Sequence, residues 1–109
     1  MAKYAIWAVL ESKPGKEKEV EEFLKQARSL AEAEPATVTW YAAKLGPSTF
    51  AIFDTFHTEE GRKAHLNGQI AKALFAKAKE LFAKEPEISQ LNLLAAKGPS
   101  EAKQTGASS

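Results

Sequence analysis

Tyr4-Ala5-Ile6-Trp7-Ala8-Val9-Leu10 and, further along, Thr49-Phe50-Ala51-Ile52-Phe53 are the two runs that decide how this chain folds. In neither do apolar and polar residues alternate, which is the pattern of strands whose side chains are buried on both sides of a sheet. The helical segments of so short a chain suffice to cover one side only. Soluble monomers seldom leave more than a few hundred Å² of contiguous apolar surface in water, so a second copy of the chain is the economical cover for the other side. A homodimer is therefore the first expectation, ahead of any chemistry.

Working outward, the first strand should run over residues 3–11 and stop at Ser12-Lys13-Pro14-Gly15, where proline removes a donor and glycine relaxes the backbone. Val20, Phe23, Leu24, Ala27, Leu30 and Ala31 then recur at helical spacing, with Glu17, Lys18, Glu21, Glu22 and Lys25 on the other side. Pro35 ends that helix, and Thr37-Val38-Thr39-Trp40-Tyr41-Ala42 is rich in strand formers. Leu45-Gly46-Pro47-Ser48 suits a hairpin into a strand over residues 49–57. Thr58 is a good N-cap for a short helix with Gly68 as its stop, and Ile70, Leu74, Ala78, Leu81 and Phe82 form the stripe of a longer one. Residues 88–96 read as a last strand, and residues 98–109 as a flexible, polar tail to a single domain over residues 1–97. Strand, helix, two strands, two helices and strand make the βαββαβ pattern of an α+β, ferredoxin-like sandwich: a four-stranded antiparallel sheet with its helices on one face.

Composition narrows the classes of function. A chain of 109 residues with 44% hydrophobic content has room for one core. A formal net charge of +1 provides no basic field for phosphate backbones, so no nucleic-acid partner is expected. The absence of cysteine removes disulfides and thiolate ligands and suits a reducing compartment. No stretch is apolar enough to span a membrane, and Met1-Ala2-Lys3 leads straight into a strand pattern; a cytoplasmic protein without a membrane partner is expected.

Lys13-Pro14-Gly15, the segment Trp40-Tyr41-Ala42-Ala43-Lys44-Leu45-Gly46-Pro47-Ser48-Thr49-Phe50, and Phe53-Asp54-Thr55-Phe56 followed by Gly61-Arg62-Lys63-Ala64-His65-Leu66 resemble the antibiotic-biosynthesis monooxygenase family. The likeness runs over residues 3–97. It implies the dimeric α/β-barrel arrangement, two sheets packed face to face, and a pocket between helices and sheet in each protomer. It further implies a cofactor-independent monooxygenase, an oxidoreductase, acting on a small hydrophobic aromatic or quinol-like compound. The alternative is a non-catalytic small-molecule-binding or stress-response module of the same fold. Haem-degrading relatives carry an Asn, a Trp and a His where an ungapped alignment puts Ala8, His65 and Phe75, so the resemblance does not extend to their route. Phe56 stands where many relatives have Trp, which removes an indole N–H.

His65 is the first candidate for chemistry, because imidazole exchanges a proton near neutrality and cofactor-free oxygenation needs a base to deprotonate a phenol or enol. Its plainer reading is a histidine that seats the short helix. Asp54 is the second candidate, as base or as the group that orients the imidazole; a strand-end cap is the alternative. Trp7, Trp40, Tyr41, Phe56 and Phe75 offer more aromatic surface than a small core requires, and Asn92 is a polar residue in an apolar strand; these are the candidate substrate contacts. Which strand parity faces the helices is not legible in the sequence. His57 and His65 with Asp54 or Glu60 lack compact metal-ligand spacing, and no metal site is expected. No phosphate-cradling loop, nucleophile elbow or dinucleotide fingerprint is present, so no cofactor is expected either.

Overall fold

The computed structural model describes residues 2–97. Its elements are β1 (Tyr4–Glu11), α1 (Glu17–Glu32), β2 (Thr37–Lys44), β3 (Thr49–Phe56), α2 (Glu59–Leu66), α3 (Gln69–Leu81) and β4 (Glu87–Asn92). The strands form one sheet in the order β2-β3-β1-β4, every neighbour antiparallel. This is the expected ferredoxin-like arrangement. Residues 98–109, read as a tail, lie outside the described residues.

The turn into α1 depends on Gly15, whose φ of 84° lies in the left-handed region that a side chain disfavours. Helix α1 then buries Val20, Leu24, Ala27 and Ala31, and α3 buries Ile70, Leu74, Ala78 and Leu81, each set at helical spacing. Both stripes rest on Ala8 and Leu10 of β1 and Phe50 and Ile52 of β3, with Trp40 and Ile88 packed at the margins. Register settles the parity. Ala8 pairs with Ile52, Leu10 with Phe50 and Ile6 with Asp54, so Phe50, Ile52, Asp54 and Phe56 face the helices. Thr58 caps α2 as expected, accepting from the Gly61 amide at 2.9 Å. Gly68, expected as a stop, serves as the N-cap residue of α3.

The opposite parity carries Ala5, Trp7 and Val9 of β1, Ala51 and Phe53 of β3, Tyr41 of β2 and Leu91 of β4. Trp7 meets Phe53 with ring centroids 6.4 Å apart, and the helices among the described residues pack on the other face. Tyr41 is 57% exposed there. The sheet is thus apolar on both sides, as the two opening runs predict.

Two local departures from the sequence reading have simple causes. Strand β4 ends at Asn92 rather than continuing to residue 96, because its partner β1 begins at Tyr4, opposite Asn92; just beyond, the Leu93 amide donates to the Lys3 carbonyl at 2.8 Å. Strand β2 is irregular between Thr37 and Thr39, which pair with Phe56 and Thr55, consecutive residues of β3. The extra residue, Val38, is a bulge that turns both Thr37 and Trp40 toward the helices.

Candidate functional site

Asp54 occupies the one polar position in the helix-facing file of β3, between Ile6 on β1 and Trp40 on β2, and is 0% exposed. A carboxylate so placed needs a partner. Helix α2 supplies it: its buried face is Gly61, Arg62 and His65, and the His65 ring lies over the sheet at 7% exposure. His65 Nε2 is 2.8 Å from Asp54 Oδ2, an ion-pair contact whose angle falls outside hydrogen-bond geometry, and Asp54 Oδ1 has no partner. The other ring nitrogen, Nδ1, is hydrogen-bonded to Glu34 Oε1 at 2.6 Å. Phe56 closes the ring from the side, with centroids 5.3 Å apart.

Glu34 comes from the connection between α1 and β2. Its Oε1 also accepts from Thr37 Oγ1 at 2.7 Å, so the bulge that aims Thr37 at the helices also fixes the carboxylate. The other oxygen lies against the α2–α3 junction. A Cβ at Gly68 would stand 3.0 Å from Glu34 Oε2 and 3.2 Å from the Ala64 carbonyl, so a side chain there would press on the carboxylate. Glu34 is 19% exposed and is the member of the file that water reaches.

Burial pushes the Asp54 carboxyl above its ordinary range, an effect that the contact and charge of His65 only partly offset. Burial alone would lower His65. The close contact and charge of Asp54, then the hydrogen bond and charge of Glu34, outweigh it and hold the imidazole above its ordinary value. The result is a buried Asp54–His65–Glu34 file joining β3, α2 and the α1–β2 connection. Such a file can pass a proton between the watered oxygens of Glu34 and the dry carboxylate of Asp54, with each ring nitrogen serving one neighbour. Since both nitrogens face carboxylates, neither offers a free lone pair to a metal.

Three hollows succeed one another along β2. The largest, about 530 Å³, lies between α1 and β2 over Leu24, Trp40, Ala42 and Phe50. It shares Arg28 and Trp40 with a hollow of about 200 Å³, which in turn shares Glu34 and Thr37 with one of about 320 Å³ that reaches His65. The Trp40 indole Nε1 is buried without a partner.

Of the residues singled out in the sequence, His65, Asp54 and Phe56 meet at the buried file, and Trp40 stands beside Asp54 and lines the large cleft. Trp7 lies on the opposite face of the sheet, and Tyr41, whose register partner is Phe53, contributes only to the rim of the cleft. Phe75 is 49% exposed on α3, and Asn92 is exposed at the end of β4 opposite Tyr4. His57 is exposed. Sequence reasoning missed Glu34 and Thr37. Glu34 sits 31 residues before His65 and ahead of a proline, where an acid reads as the solvated end of a helix; nothing local signals its partner. It also passed over Arg62, whose Nη1 donates to the Leu91 carbonyl at 3.0 Å while the guanidinium lies 5.1 Å from the centre of the Tyr4 ring.

No protein-family profile matches the chain, and no curated protein does. Solved structures do. A protein of unknown function from Nitrosomonas europaea is similar at 52% identity, over 91% of this chain and 96% of that one, with a TM-score of 0.89. A candidate antibiotic biosynthesis monooxygenase from Caulobacter crescentus superposes with a TM-score of 0.74 at 18% identity, over 86% of this chain and 92% of that one. A second such candidate, also from Nitrosomonas europaea, gives 0.75 at 14% identity, over 84% and 99%. The last two establish a shared fold, and the first a shared descent. The chain therefore belongs to the same family as the 52%-identical Nitrosomonas europaea protein, built on the fold of the antibiotic biosynthesis monooxygenases.

Proposed function

We propose that the protein is a homodimeric, cofactor-independent monooxygenase for a small hydrophobic aromatic or quinol-like compound, with the substrate seated under α1 and the proton handled by Glu34, His65 and Asp54. The observation that carries this reading is the buried file itself, whose Glu34 lines two hollows, one of which borders an apolar cleft at Arg28 and Trp40. Oxygenation of an activated methylene next to a phenol needs only a base and dioxygen: two C–H bonds break, one oxygen atom becomes the new carbonyl, and the other leaves as water with the two hydrogens. The substrate supplies the electrons. Loss of the phenol proton makes the ring electron-rich enough to reduce dioxygen, and a dry cleft protects the intermediate. Glu34 is the accessible acceptor, His65 relays the proton and Asp54 anchors the imidazole. The apolar sheet face bearing Trp7, Tyr41 and Phe53 supports the second copy.

The test is oxygen uptake with quinols and anthrone-like phenols, comparing the native protein with Glu34→Gln and His65→Gln. Uptake by the native protein that both substitutions lower is expected; no native uptake, or equal uptake by all three, would remove the reaction. One observation favours a second reading, a non-catalytic binding module: both imidazole nitrogens already face carboxylates, as in a structural clamp.

A further inference from the structure

The hollow that reaches His65 is built differently from the cleft under α1. One wall is Ala33, Pro35 and Ala36 of the α1–β2 connection, and the other is Gly61, Ala64 and Gly68 of α2 and the α2–α3 junction. Both walls are therefore backbone and short side chains. A Cβ at Gly61 would stand 3.2 Å from the Ala36 Cβ, and one at Gly68 would stand 3.0 Å from Glu34 Oε2, so the walls converge at both glycines. The space they border is about 320 Å³, at the small end of what ligand sites enclose. It suits one flat ring.

The polar lining of this hollow calls for an uncharged donor. Glu34 and His65 both line it, but each ring nitrogen of His65 already faces a carboxylate, and Glu34 Oε1 is taken by His65 Nδ1 and Thr37 Oγ1. Glu34 Oε2 is left. It accepts no hydrogen bond among the described residues, and it stands against Gly68, on the wall of the hollow. An ionised carboxylate oxygen accepts and does not donate, so the group it lacks is an O–H or N–H. No lysine or arginine lines the space, and the file behind it holds two carboxyls against one imidazole, so an anionic group would enter without a counter-charge. Nor does the site demand a cation, because Glu34 already has His65 for a partner.

We propose that the hollow beside Glu34 and His65 seats an uncharged, single-ring phenol whose hydroxyl donates to Glu34 Oε2 and whose ring lies between the two walls of small residues. This assignment names the substrate class of the proposed oxygenase and the seat of its reacting end. It rests on that reading for its catalytic meaning, although the binding stands apart from turnover. The hydroxyl placed on Glu34 Oε2 is the group whose proton the oxygenation would remove, and the carboxylate that receives it is the one bonded to His65.

The experiment is an NMR titration of the full chain, which reads weak affinities and reports where each probe sits. The probes are para-ethylphenol, para-ethylanisole, which lacks the donor, and para-hydroxyphenylacetate, which adds an anion. The native protein should bind the phenol about tenfold more tightly than either analogue, the size of effect expected for one hydrogen bond to a charged acceptor, with the amides of Ala36, Ala64 and Gly68 shifting. In Glu34→Gln, which exchanges the charged acceptor for a neutral one, the advantage over the anisole should fall to about threefold or less. Ala64→Trp, at an exposed position of α2, fills the hollow and leaves Glu34 in place; there the phenol should no longer bind. Circular dichroism checks that each variant is folded. Equal native affinity for the phenol and the anisole, a preference that Glu34→Gln leaves intact, shifts confined to the α1–β2 cleft, or no saturable binding of the phenol would overturn the proposal. Phenol-selective binding without oxygen uptake would leave the seat standing and remove the oxygenase; uptake that Ala64→Trp leaves unchanged would keep the oxygenase and overturn the seat.

Discussion

Replacing His65 by leucine isolates the energetics of the buried file. The substitution keeps bulk at the site but leaves Asp54, at 0% exposure, without a cation. Removing one member of a buried ion pair costs about 3–5 kcal/mol, because the surviving charge is stranded. That is a large share of the roughly 5–15 kcal/mol that holds a domain of this size together. At about 4–8 °C per kcal/mol, the melting temperature should fall by at least about 12 °C. The double substitution Asp54→Leu/His65→Leu should recover most of the loss, since Ile6 and Phe56 already make an apolar surround and Glu34 keeps its contact with Thr37 and water. pH gives a second handle. Because the His65 pKa is raised on folding, its stabilisation is complete below the unfolded value of 6.5 and is lost as the pH climbs through the folded value, at up to about 1.36 kcal/mol per pH unit for one proton. The raised Asp54 acts in the same direction from 3.8 upward, and lets the stranded carboxyl in His65→Leu escape its penalty by taking a proton in acid. The cost of His65→Leu should therefore peak near neutrality. Denaturant unfolding of the native, single and double variants from about pH 5 to about pH 9 checks all of this. A single-variant cost below about 1 kcal/mol at neutral pH, or a double variant no better than the single, would refute the account of Asp54 as a stranded charge.

Two further predictions concern the sheet and the α2–α3 junction. Placing a charge in the centre of the uncovered face, by Phe53→Glu opposite Trp7, should turn a dimer into a monomer in light scattering at micromolar concentration; a native protein that is already a folded monomer there would contradict the proposed association. Gly68→Ala should push the Glu34 carboxylate away from its seat 3.0 Å from the new Cβ and lower the imidazole pKa measured by NMR titration, with a stability loss of about 1–3 kcal/mol; an unchanged titration would show that Glu34 does not need that seat.

Much of the architecture was legible because it is governed by patterns that repeat along the chain. The unbroken apolar runs of β1 and β3, the stripes of α1 and α3, the Pro14-Gly15 turn and the Thr58 cap each follow from local periodicity or backbone sterics, so the element order and the two-sided sheet could be read directly. His65 and Asp54 stood out by the chemistry of their side chains, an imidazole that exchanges a proton near neutrality and a carboxylate able to act as base or to orient it. Their mutual contact did not follow, nor did Glu34. A strand's two faces are equivalent until its neighbours fix the register, and one residue of slip exchanges them. Only the pairing of Ile6 and Trp40 with Asp54, together with the bulge at Val38, decided that Asp54, Trp40 and Thr37 share the side under the helices, while Trp7 and Tyr41 share the other. The sequence by itself determined which segments are strands and helices and that the sheet would be apolar twice over. Tertiary structure alone decided which acids meet the imidazole, because a contact across 31 residues depends on where the backbone carries two side chains and leaves no period in the chain.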